Sequence, residues 1–168
     1  MSPTAAIAFA AMLVVSGEAK ANGWLLQPAE QGRGEVLTFA SGESVSYRFE
    51  CTANDVIVTE TGVTKLLDLK AGKPIEDGPD AVMPEGAAIM ALFSGQGDPE
   101  FYPAVATKNP AGGWDLTIRL PKNDEQLKAV GDSEMMSLFT TGYTMAVAMD
   151  APARALWNDF MKRCRTPS

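Results

Sequence analysis

The sequence predicts an α+β domain that is mainly β: an antiparallel sheet or small sandwich with one short helix and a C-terminal helix packed on it. Three observations lead there. Apolar residues recur with a period near 2 over most of the chain, and these runs are short and separated by Gly, Pro, Asn and Asp. A helical period appears only twice, both times near the C-terminus. With 168 residues, 46% hydrophobic and 21% charged, the chain has the length and composition of one globular domain.

The first element is a leader. Residues 5–15 form an unbroken apolar run, followed by Ser16, Gly17 and Glu18 and then by Ala19-Lys20-Ala21. That is the order of an h-region, a polar c-region and an A-x-A cleavage site, so residues 1–21 are expected to be a signal peptide and residues 22–168 one β-rich domain. The run is too short to cross a bilayer as a helix, which takes about 20 apolar residues. The processed protein is therefore expected in the periplasm or secreted, without membrane insertion. An oxidising compartment and an even cysteine count predict a disulfide between Cys51 and Cys164.

Strands are expected at 36–39, 45–51, 55–59, 65–69, 87–94, 104–107 and 114–120. The clearest is Val45-Ser46-Tyr47-Arg48-Phe49-Glu50-Cys51, whose odd positions are apolar and deliver Cys51 to the core face. Leu116, Ile118 and Leu120 repeat the pattern. Residues 70–86 form a long Gly- and Pro-containing connection, a length that is uncommon inside a compact domain and is often functional. Asn123 or Asp124 can cap a short helix through Val130, with Gly131 as its stop. Thr141-Gly142 then reads as a hairpin turn that places Leu138 opposite Met145 and Met136 opposite Val147. Phe139, Ala146 and Ala148 make the other face apolar too, so this hairpin is expected at the centre of a sheet, covered on both sides. Asp150 caps the last helix, with Pro152 in its first turn and Leu156, Phe160 and Cys164 on the face that meets the sheet.

Composition excludes several functions. The 14 Lys and Arg against 21 Asp and Glu leave a net charge of -7, which argues against nucleic acid as a partner because sequence-independent binding needs a basic patch. There is no histidine, which removes Ser-His-Asp and Cys-His catalysis and histidine metal sites together. Nucleophile-elbow, Walker, zincin and dinucleotide motifs are absent as well. No cofactor and no metal are expected.

Two regions remain as candidate binding sites. Between 74 and 107 the chain carries Glu76, Asp77, Asp80, Glu85, Asp98 and Glu100 with no Lys or Arg. The Asp77 and Asp80 spacing lacks the alternating ligands of a calcium loop, so attraction of a basic protein partner is the better reading. Within Gly95-Gln96-Gly97-Asp98-Pro99-Glu100-Phe101-Tyr102-Pro103, the residues Asp98, Glu100 and Tyr102 offer carboxylates beside aromatics. A carboxylate pair can also run glycoside hydrolysis if a cleft holds the two acids apart. The nine methionines invite a copper(I) reading, but Met136 and Met145 fall inward beside Leu138 and Val147 and are expected to fill core.

The layout of leader, strand-borne Cys and closing helix ending in Phe160-Met161-Lys162-Arg163-Cys164 resembles that of many small exported bacterial proteins. Tyr47-Arg48-Phe49-Glu50-Cys51 is similar to the early strand of exported lysozyme inhibitors, from which the chain departs in its long central connection and C-terminal helix. The reading that follows is an exported, non-enzymatic binding or interaction protein whose partner is a basic envelope protein. The alternatives are a histidine-free hydrolase using carboxylates and a structural envelope component.

Overall fold

The structure is a computed structural model, and it describes residues 19–21, 23–29, 34–42, 44–68, 72–75, 88–140 and 143–166. In chain order the elements are β1 (Ala19–Ala21), β2 (Trp24–Pro28), β3 (Glu35–Ser41), β4 (Ser44–Cys51), β5 (Asp55–Val63), β6 (Leu67–Asp68), β7 (Lys73–Pro74), β8 (Ile89–Phe93), β9 (Tyr102–Pro103), β10 (Val105–Lys108), β11 (Trp114–Pro121), α1 (Glu125–Val130), β12 (Met135–Thr140), β13 (Tyr143–Ala148) and α2 (Ala151–Arg165).

Seven strands form a large antiparallel sheet in the order β1-β2-β3-β4-β5-β11-β10, and four form a small one in the order β13-β12-β8-β9. Strands β6, inside the strand expected at 65–69, and β7, inside the expected long connection, make a separate two-stranded ribbon. The mainly β, α+β architecture expected from the periodicity is the one observed. Its cause is visible strand by strand: Tyr47, Phe49 and Cys51 on β4, Val56 and Val58 on β5, and Leu116, Ile118 and Leu120 on β11 are all buried on one face. Met136 and Leu138 on β12 and Met90 and Leu92 on β8 complete the same core from the small sheet. Trp24, Trp114 and Trp157 are all buried in it. Between Pro103 and Val105 the chain passes from the small sheet to the large one, with Ala104 N donating to Ala88 O at 3.1 Å.

The hairpin register is the expected one, with Met136 opposite Val147 and Leu138 opposite Met145. Its position is not. Strand β13 is an edge of the small sheet rather than its centre, and Thr144, Ala146 and Ala148 on its outer face are exposed. An uncharged face need not be a covered one, since side chains as small as Ala and Thr expose too little apolar area to require a cover.

Both helices are capped as expected. Asp124 Oδ1 accepts from the backbone N–H groups of Gln126 and Leu127, and Asp150 Oδ1 from that of Ala153. Gly131, however, sits in the right-handed region and does not stop α1 through a left-handed turn. Its lack of a side chain serves packing instead: a Cβ there would strike the side chain of Asn158, whose Nδ2 donates to Gly131 O. On α2 the buried stripe is Ala153, Trp157, Phe160, Met161 and Cys164, so Trp157 rather than Leu156 carries the contact with the sheet.

The expected disulfide is present, Cys51 to Cys164, with the Cα atoms 5.5 Å apart. It ties the end of β4 to the last turn of α2. Lys122 Nζ donates to Cys164 O at 2.7 Å and Arg165 Nε to Lys122 O at 3.2 Å, so the same helix end is also held to the segment following β11. Gly34 has φ +130, and a Cβ on it would lie 2.6 Å from Cys51 O. Only glycine allows the chain to pass this close to the bridged strand.

Strand β1 contains the expected A-x-A site and pairs with β2, Ala21 lying opposite Trp24. Cleavage after Ala21 would remove β1 from the sheet edge and leave every other strand and the disulfide intact.

Candidate functional site

The acidic candidates are separated by the fold. Asp77 and Asp80 lie outside the described residues. Asp98 and Glu100 stand exposed on the connection between β8 and β9, and Tyr102 is half-buried at the start of β9. That connection is docked on α1: Ser94 N and Oγ both donate to Gln126 Oε1, at 3.1 and 3.0 Å, and Gln126 Nε2 reaches Gln96 O.

The Tyr102 hydroxyl donates to Asp124 Oδ2 at 3.3 Å. Asp124 thus uses one oxygen to cap α1 and the other to hold Tyr102. Burial pushes the Tyr102 phenol well above its ordinary range, and hydrogen bonding and charge from Glu100 and Asp124 push it the same way. Glu100, Tyr102 and Asp124 therefore act together as a brace that positions the β8–β9 connection.

This arrangement bears on the hydrolase alternative. A general acid needs a carboxyl whose proton is held by a water-poor environment facing substrate. Asp98 and Glu100 are open to solvent, whereas Glu60, a carboxyl that burial does perturb, is sealed in the core at 1% exposure. Among the described residues, no three acids or cysteines converge as a metal-ligand set.

What the same connection does border is an uncharged sheet face. The alternation of the small sheet sends Met90, Leu92, Met136 and Leu138 inward and places Ile89, Phe93, Met135 and Phe139 on the other face, where Ala91 and Ser137 between them are buried and Thr144, Ala146 and Ala148 on β13 are exposed. No charged side chain lies among them. The rings of Phe93 and Phe139 meet at 5.6 Å and 70°. Phe101, next to Tyr102 and so on the outward side of the register with Met90, is 45% exposed, and Met135 is 43% exposed.

Acids gather at one end of this face: Asp98 and Glu100 on the connection, and exposed Asp132 and Glu134 leading into β12. Arg154 stands at this same end, its guanidinium donating to the carbonyl of Met149, whose N–H donates to Glu134 O. Lys128 on α1 is 2.6 Å from Glu125.

Phe101 and Met135 were not singled out as a pair by the sequence, since nothing local places residues so far apart on one sheet. Glu60 did leave a signal. In Val56-Ile57-Val58-Thr59-Glu60 the period of 2 puts the carboxyl on the same side as two valines. Comparison of the chain with protein-family models, with curated proteins and with solved structures gave no match.

Proposed function

We propose that the protein is an exported, non-enzymatic binding protein that docks a basic protein partner on the outer face of its small sheet. The observation that carries this reading is the exposure of Phe101 and Met135 on a charge-free sheet face that has Asp98, Glu100, Asp132 and Glu134 at one end. Exposed aromatic and methionine side chains are the residue types that anchor interfaces, and a predominantly acidic rim steers a basic partner and fixes its orientation. The chain's net charge of -7 acts in the same direction. Export is supported by the leader sequence and by the Cys51–Cys164 bridge, which suits an oxidising compartment.

The test is salt-dependent association of the oxidised protein with lysozyme and with a basic amphipathic peptide, measured by calorimetry. Binding that weakens as salt rises, and that is lost in Phe101→Ser, is the expected result. Absence of binding to either probe at low salt, or equal binding by Phe101→Ser, would overturn the reading.

A further inference from the structure

Among the described residues Glu60 is the one carboxyl buried in the core between the two sheets, and its position beside Tyr47 suggests a conformational device that is independent of the docking reading. The side chain is 1% exposed, and neither Oε1 nor Oε2 has a hydrogen-bond partner. On β5 it is flanked across the sheet by Tyr47 on β4 and Leu116 on β11. Leu116 has no donor to offer. Tyr47 has a hydroxyl, and that hydroxyl donates to Met145 O at 2.7 Å. Met145 belongs to β13, the edge of the small sheet, so this hydrogen bond ties the two sheets together.

Among the described residues, the buried side chains on β11, β8 and β12 and on both helices include no ionisable group, the two cysteines being joined, while on β13 Tyr143 shares the register side of Met145 and Val147. Tyr102 on β9 also packs against this core, and its hydroxyl is held by Asp124. A neutral Glu60 carboxyl fits such a place, and an ionised one does not. A buried carboxylate requires a donor, and it is a stronger acceptor than a carbonyl.

We propose that Glu60 and Tyr47 form a latch between the sheets: loss of the Glu60 proton to solvent turns the Tyr47 hydroxyl from Met145 O to the Glu60 carboxylate and releases β13. Burial pushes the Glu60 pKa up to about 8, so the latch is closed at neutral pH and below and opens on the alkaline side. The step moves one proton and exchanges one hydrogen bond. The freed strand is an edge strand, so its departure leaves the large sheet paired as before.

Hydrogen exchange of the oxidised full chain between pH 6 and pH 9, corrected for the intrinsic pH dependence of exchange, tests this directly. Protection of the β13 amides is expected to fall by about tenfold or more over that range while the β3, β4 and β5 amides keep theirs, a sub-global opening. In Tyr47→Phe, β13 protection at pH 6 should already be at the level the unaltered protein reaches at pH 9. In Glu60→Gln it should not change with pH. If Glu60→Gln does not fold, carbon-detected titration of the Glu60 carboxyl in the unaltered protein decides. Titration below pH 6 would overturn the latch, as would simultaneous loss of protection in β13 and the large sheet, or pH-dependent β13 opening that persists in Tyr47→Phe.

Discussion

Phe49 and Trp157 meet edge to face, with ring centroids 4.9 Å apart and planes at 86°. This contact sets α2 on the inner face of the large sheet, and the sequence on either side secures it. Two residues beyond Phe49 the chain reaches Cys51, and two turns beyond Trp157 it reaches Cys164, its disulfide partner. Trp157 Nε1 also donates to Leu127 O at 3.0 Å, which draws α1 into the same junction.

Truncation at this junction should be among the most damaging core changes. Trp157→Ala is expected to destabilise the fold by about 3 to 5 kcal/mol, since it removes a fully buried aromatic and leaves the Leu127 carbonyl without its donor. Denaturant unfolding of the oxidised protein measures it. A loss below about 1 kcal/mol would mean that α2 is held by the disulfide alone.

Removing the bridge tests the complementary half of that junction. The sulfurs join residues separated by 113 positions, and in the chain-entropy model a loop of that size is worth about 4 to 5 kcal/mol. The double variant Cys51→Ala, Cys164→Ala should lose about that much while α2 stays docked through Phe49 and Trp157. Near-ultraviolet circular dichroism of the tryptophans reads the docking separately from the midpoint.

Glu60 makes stability depend on pH with a definite sign. Its folded pKa of about 8 lies above the ordinary 4.5, so the folded state binds the extra proton between those values. Below pH 4.5 the carboxyl is neutral in both states and costs nothing electrostatic. Above that it lowers stability by about 1.4 kcal/mol per pH unit, and the effect levels off beyond pH 8. At pH 7 the deficit is roughly 3 kcal/mol, and Glu60→Gln should regain much of it. The stability difference between Glu60→Gln and the unaltered protein should therefore widen from pH 5 to pH 8. Equal slopes in the two proteins would contradict a buried, proton-holding Glu60.

Asp124 serves two partners, and its replacement should register in both. Asp124→Ala is expected to cost about 1 to 2 kcal/mol through loss of the α1 cap. It should also bring the Tyr102 phenol down toward its ordinary range, because Asp124 is one of the groups holding it up. Ultraviolet titration of the tyrosines follows the second effect.

The fold was legible because most long strands have one wet face. Val45 to Cys51 and Trp114 to Leu120 declare themselves by alternation, and the Met136–Val147 register follows from two apolar runs only two residues apart, Thr141 and Gly142 themselves lying outside the described residues. Strand β2 was missed because Trp24-Leu25-Leu26-Gln27-Pro28 has no clean alternation, and β7 and β9 because two-residue ladders leave no periodic trace. The candidate site was legible only in its charges. Asp98, Glu100 and Tyr102 were found by local composition, but the face they border is assembled from β8, β12 and β13, whose pairing partners are distant in sequence. Tyr102 also braces the connection through Asp124, a contact the local sequence does not reveal because Asp124 precedes another element.

The docking reading stands or falls on where a basic partner touches. The decisive measurement is a backbone NMR titration of the oxidised protein with lysozyme and with the basic amphipathic peptide, at low and high salt, repeated on Glu100→Lys. The expected perturbations cover residues 95–101 and the amides of β8, β12 and β13, shrink as salt rises, and are weakened in Glu100→Lys. Perturbations that leave the small sheet untouched, or that are indifferent to both salt and the charge reversal, would contradict it.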